Sequence, residues 1–114
     1  MSTRSLAAAS KSGAPIFAAL GDETRLRIVA KLSDQGPLSI VRLTEGEPVT
    51  RQAITKHLSV LAGAGLVRGA RRGRERVWAL EPSPLEVARR YLDLVSARWD
   101  AALGRLAAMV ESDE

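Results

Sequence analysis

The chain has 114 residues, 46% of them hydrophobic, and 17 Lys and Arg against 13 Asp and Glu give a net charge of +4. This is the length of one domain with a modest core, for which a shared subunit interface would add stability. The absence of cysteine excludes disulfides, thiolate metal sites and a cysteine nucleophile, and no apolar run reaches the ~20 residues that span a bilayer.

In chain order, residues 1–13 (MSTRSLAAASKSG) lack the apolar stretch of an export signal and are read as a flexible arm. Pro15 to Leu20 forms a short apolar helix closed by Gly21. Asp22 is an N-cap for the next helix, which runs to Ser33 and carries Leu26, Ile28, Val29 and Leu32 on its inner side. Arg25, Arg27 and Lys31 fall outside that stripe, and Gly36-Pro37 breaks the chain. Leu38–Thr44 reads as two strand residues and a turn or two of helix, and Glu45-Gly46-Glu47-Pro48 as a polar break.

Thr50 caps a helix that runs to about Ala62 with Ile54, Leu58 and Leu61 inward, and Gly63 and Gly65 end it. From Leu66 the period changes. Leu66-Val67 and Val77 to Leu80 are strand-like, and Arg71-Arg72-Gly73-Arg74 joins them as the basic tip of a β-hairpin. Five arginines and one glutamate fall between Arg68 and Arg76, a local density that points to a polyanionic partner. Ser83-Pro84-Leu85-Glu86 starts a last helix over 83–111. Its Leu85, Ala88, Leu92, Val95, Trp99, Ala102, Leu106 and Met109 alternate three- and four-residue steps, with Leu103 and Val110 widening the stripe. Such a helix is roughly 40 Å long, more than this chain can cover by itself.

The segment Pro48 to Val67 has two faces. With Ile54, Leu58 and Leu61 inward, Arg51, Gln52, Thr55, Lys56 and Ser59 point outward. Arg can pair with guanine, Gln with adenine, and Thr with base edges or phosphate. Thr50 and Lys56 are better placed for phosphate. A polar outer face is by itself ordinary surface. The case rests on its being followed by Arg71, Arg72 and Arg74, because a cluster of like charges repels itself and folding alone does not explain it. The expected fold is mainly α with a small β-hairpin, a winged helix-turn-helix core over 14–82. The expected partner is double-stranded DNA.

Residues 15 to 110 resemble the ArsR-type winged-helix repressors. Ala19-Leu20-Gly21-Asp22-Glu23-Thr24-Arg25-Leu26-Arg27-Ile28 is similar to that family's second helix. Val49-Thr50-Arg51-Gln52-Ala53-Ile54-Thr55-Lys56-His57-Leu58 is similar to its recognition helix, and Ala64-Gly65-Leu66-Val67 to the start of its wing. The resemblance implies a homodimer joined through the first and last helices, with Ile16, Phe17, Leu92, Val95, Trp99, Leu103 and Leu106 at the contact, and the lack of cysteine fits a reducing, cytoplasmic setting. The resemblance also implies a palindromic operator and repression of transcription. Members that sense metals use cysteines, or His and carboxylates on the last helix. Here the single histidine is His57, and Glu86, Asp93 and Asp100 have no His partner, so no metal site or cofactor is expected. The pair Trp99-Asp100 resembles a branch that does not sense metals and often regulates a neighbouring gene for a START-like ligand-binding protein. A small-molecule effector stays open as a partner.

His57 has two readings: a DNA contact reaching toward phosphate, or a bridge to the neighbouring helix at the edge of the stripe. Trp78 is read as core beneath the hairpin. Three other functions compete. A winged-helix protein-interaction module would not need a basic hairpin. An enzyme would need a phosphate loop, an acid–base pair or a metal site, and the sequence offers none. A single-stranded RNA binder would need stacking aromatics.

Overall fold

The computed structural model describes residues 3–112, with side chains from Leu6 onward. Its elements are α1 (Thr3–Leu20), α2 (Glu23–Gln35), β1 (Leu38–Ser39), α3 (Ile40–Thr44), α4 (Arg51–Gly63), β2 (Val67–Arg72), β3 (Glu75–Leu80) and α5 (Pro82–Ser112). The three strands form one antiparallel sheet in the order β1-β3-β2. A mainly helical chain with a small sheet and a hairpin after α4 is a winged helix-turn-helix.

The core gathers one face from each element. Ile28 and Leu32 of α2, Leu43 of α3, Ile54, Leu58 and Leu61 of α4, and Leu66 and Val67 at the start of β2 are buried together. Three helix starts are fixed by side-chain oxygens. Asp22, Ser39 and Thr50 accept hydrogen bonds from the backbone N–H of Arg25, Arg42 and Ala53, at 3.1, 3.3 and 3.0 Å. The end of α4 is a Schellman turn. Gly65, at φ 76, donates to the Ala62 carbonyl and Leu66 to the Leu61 carbonyl. Leu61 and Leu66 are both fully buried there, which seals the turn and launches β2.

Four expectations are corrected. Residues 3–13 of the expected arm are helical and continue into Pro15–Leu20 as α1, while residues 1–2 lie outside the described residues. Pro15 sits inside that helix, on its exposed side. The helix survives because α1 packs along α5, with the Phe17 ring edge-on to Tyr91 at 5.5 Å. On α2 the buried set is Thr24, Ile28 and Leu32, and Leu26 is 52% exposed rather than inward. The phase of the helix is set by the i, i+4, i+8 spacing of the buried trio. Helix α5 opens at Pro82, so Ser83 lies within its first turn rather than capping it. Finally, α5 turns Ala88 and Leu94 inward, so only part of the expected stripe meets the chain's own core. Among the described residues no helix is long and apolar enough to cross a membrane.

Candidate nucleic-acid interface

Helices α3 and α4 and the turn between them form the helix-turn-helix, and the turn is pinned to α2 from below. Glu47 lies in that turn with its side chain 3% exposed. Its carboxylate takes Arg27 Nε and Lys31 Nζ, each at 3.0 Å. Lys31 also donates to the carbonyls of Leu43 and Glu45. Burial pushes the Glu47 carboxyl up, but the bonds from Lys31 and Arg27 outweigh it and hold the pKa below the ordinary value. Neither the polar break nor the cations outside the α2 stripe announced this clamp. Its one signal in the sequence was the i, i+4 pairing of Arg27 with Lys31, which puts both on one side of α2.

With the turn fixed, α4 presents the predicted outer face. Thr50, Arg51, Gln52, Thr55 and Lys56 are all exposed, near the N-terminus of the helix. The Thr50 hydroxyl caps the helix, and the Thr55 hydroxyl donates to the Arg51 carbonyl at 3.0 Å, which turns the Thr55 methyl away from that bond. Val60, 45% exposed, adds an apolar spot farther along the helix. His57 differs from the others. Its side chain is 22% exposed, and Nδ1 lies 3.1 Å from Arg25 Nη1 and 3.8 Å from Asp22 Oδ2. The bridging role is therefore the one its ring nitrogen fills. Asp22 itself is held below the usual carboxylate range, chiefly by the backbone N–H of Arg25.

The hairpin β2–β3 follows four residues after α4 and pairs Val67 with Leu80 through to Arg72 with Glu75. A two-residue turn, Gly73-Arg74, closes it. Gly73 takes φ 65 at the first position, a type II′ turn whose twist suits a hairpin. At the base, Val67 and Val77 are buried, and Trp78 packs against the core as expected. The Arg76 guanidinium lies 4.8 Å over the Trp78 ring. It crosses Gly69, where an added Cβ would come within 2.7 Å of Arg76 Nε. Arg71, Arg72, Arg74 and Arg76 are all exposed, but the Arg76 guanidinium lies folded against the hairpin.

Two groups of cations bear on this surface. Arg27, Lys31, Arg42, Arg68 and Arg89 each have an acidic partner. Among the described residues, Arg51, Lys56, Arg71, Arg72 and Arg74 have none. Lys11 on α1, Arg76 on β3, and Arg90 and Arg105 on α5 are likewise exposed without an acidic partner, but α4 and the hairpin tip bring five such cations together on consecutive elements. Unpaired, solvent-facing cations on consecutive elements suit phosphate and base edges. No group of three or more His, Asp or Glu side chains capable of holding a metal ion occurs among the described residues.

Of the residues expected at a subunit contact, Leu92, Val95, Trp99, Leu103 and Leu106 are exposed on one side of α5. Phe17 is half-buried against Tyr91. Ile16 instead lies in the chain's own core at 6% exposed, which leaves little of it for a partner.

Comparison with known proteins agrees with this geometry. Residues 20–70 match the helix-turn-helix domain family. An HTH-type transcriptional regulator of Mycobacterium tuberculosis is 39% identical over 95 residues, covering 83% of this chain and 85% of that one. An uncharacterised HTH-type transcriptional regulator of Bacillus subtilis is 46% identical over 77 residues, covering 62% of this chain and 84% of that one. Among solved structures, an ArsR-like transcriptional regulator from Rhodococcus sp. RHA1 is 36% identical and superposes with a TM-score of 0.73, covering 87% of this chain and 92% of that one. With relatives of this similarity along most of its length, a helix-turn-helix clamped at its turn and a basic hairpin behind it, the chain belongs to the ArsR family of winged helix-turn-helix regulators, proteins that bind DNA to control transcription rather than catalyse a reaction.

Proposed function

We propose that this protein is a homodimeric repressor of the cytoplasm that binds a palindromic operator. Arg51, Gln52 and Thr55 read bases in the major groove, Thr50 and Lys56 hold phosphates, and Arg71, Arg72 and Arg74 grip the flanking backbone or minor groove. The observation that carries this reading is the gathering of five exposed cations without acidic partners, Arg51, Lys56, Arg71, Arg72 and Arg74, on the helix and the hairpin that follow one another in the chain. The dimer is supported by α5, whose Leu92, Val95, Trp99, Leu103, Leu106 and Met109 stand exposed along one side. Two such helices packed together would set recognition helices about one DNA turn apart, roughly 34–36 Å. Repression follows from occupying a promoter with a body of that span. The groove of about 550 Å³ between α1 and α5, lined by Gly13, Phe17, Tyr91 and Leu92 among others, is of a size that accepts small molecules and is where an effector would act on the dimer angle.

The test is selection of duplexes from a random-sequence pool by the purified protein. The expected product has two-fold symmetric half-sites. Arg51→Ala or Gln52→Ala should weaken binding to the selected duplex by about 1–3 kcal/mol and relax preference at one position of each half-site. Equal losses on selected and random duplexes would contradict base reading by these side chains.

A further inference from the structure

Helix α4 is tied to the corner between α1 and α2 through one side chain. Arg25 Nε donates to the Ala19 carbonyl near the end of α1 at 2.5 Å, and Arg25 Nη1 reaches His57 Nδ1 on α4 at 3.1 Å. A guanidinium only donates, so Nδ1 must accept. His57 in this arrangement is neutral, with its proton on Nε2. Because α1 packs along α5, this bond links the base-reading helix to the part of the chain that sets half-site spacing.

We propose that His57 is a positioning residue for DNA reading: its unprotonated Nδ1, gripped by Arg25, fixes how α4 sits against the α1–α2 corner, and protonation of the ring releases that grip. This rests on α4 being the base-reading helix. The charged groups that face the imidazole are Asp22 and Arg25, both at the start of α2. Among the described residues, α1 contributes the Ala19 carbonyl, through Arg25. On α4 itself, Arg51 and Lys56 are exposed to solvent.

Protonation makes Nδ1 a donor, aimed at a like charge 3.1 Å away, while Asp22 Oδ2 at 3.8 Å becomes the attractive partner. That carboxylate already caps α2 through the Arg25 N–H, so moving to His57 competes with the cap. Both changes shift α4 against its support. The sign separates this from a direct contact. A histidine that touched phosphate would bind DNA better in acid, because it gains a charge. Here acid lowers the ratio of specific to random affinity, and a general electrostatic gain cancels in that ratio.

The experiment uses the full chain, the duplex selected at pH 7.5 and a random duplex of equal length, across the range in which histidines titrate. His57 is the only histidine, so its ¹⁵N imidazole signals can be followed without assignment. We expect the Nε2–H tautomer at pH 7.5. The specificity ratio should fall about tenfold or more once the ring is protonated, the scale of one hydrogen bond from a charged donor. The midpoint of that fall should coincide with the imidazole titration. His57→Asn, which keeps an acceptor near Nδ1 and does not titrate, should hold the neutral-pH ratio across the range. His57→Ala should show the low ratio throughout. A wild-type ratio indifferent to pH, or an Asn variant with the wild-type pH response, overturns the proposal. Should His57→Asn not fold, midpoints of binding and titration more than one pH unit apart overturn it instead. A chain that selects no duplex at pH 7.5 sinks the base-reading role of α4, a distinct failure.

Discussion

A carboxyl as enclosed as that of Glu47 would ordinarily resist ionisation. It ionises because two cations on successive turns of α2 meet it with hydrogen bonds. Its folded pKa lies below the ordinary 4.5, so its contribution to stability is present above that value and is lost as pH falls through the folded value. Glu47→Gln should therefore cost about 1–3 kcal/mol at pH 7, since a neutral amide satisfies Arg27 and Lys31 poorly. The gap between variant and wild type should close toward pH 3. Urea unfolding at the two pH values checks this. A gap that persists in acid would mean that Glu47 acts through packing rather than charge. The same residue marks a limit of sequence reading. Glu47 looked like loop polarity, because nothing in a linear pattern says that Arg27 and Lys31, twenty and sixteen positions earlier, lie beneath it.

At the scale of elements, the hairpin tip is the clearest separable part. Its type II′ turn and full cross-strand register leave Arg72 exposed and unpaired. Arg72→Ala should weaken binding to all duplexes alike and reduce the slope of log affinity against log salt by about one. An unchanged slope would take Arg72 off the phosphate backbone. Most of this architecture was legible. The caps at Asp22 and Thr50, the inward trio of α4 and the basic hairpin follow from periodicity and capping chemistry alone. The part of the first helix before Pro15 was not legible, because Gly13 and Pro15 argue locally against a continuous helix. The signal that outvotes them is the stepping of Leu6, Ala9, Gly13, Ile16 and Leu20 by three and four. It becomes decisive only when α5 supplies a surface for it. Likewise the apolar stripe of α5 gave its exposed side but not the inward Leu94, since one long helix can serve its own core and a partner through adjacent faces.

For the whole molecule, the dimensions are 70 × 28 × 20 Å and the radius of gyration is 19.1 Å. A compact chain of this length would measure about 13 Å. The excess comes from α5, 31 residues or about 46 Å long, whose later part runs beyond the core. Trp99 stands there at 63% exposure, the kind of aromatic that anchors an interface. Trp99→Ala should weaken self-association by about 2 kcal/mol or more in sedimentation equilibrium while leaving the circular dichroism of the helices unchanged. An intact dimer at the same concentrations would move the contact elsewhere. The overhang of α5 also bears on dosage. When lone chains predominate, the number of paired molecules grows as the square of expression, so a promoter under this protein would switch over a narrower range of gene output than one held by a monomer.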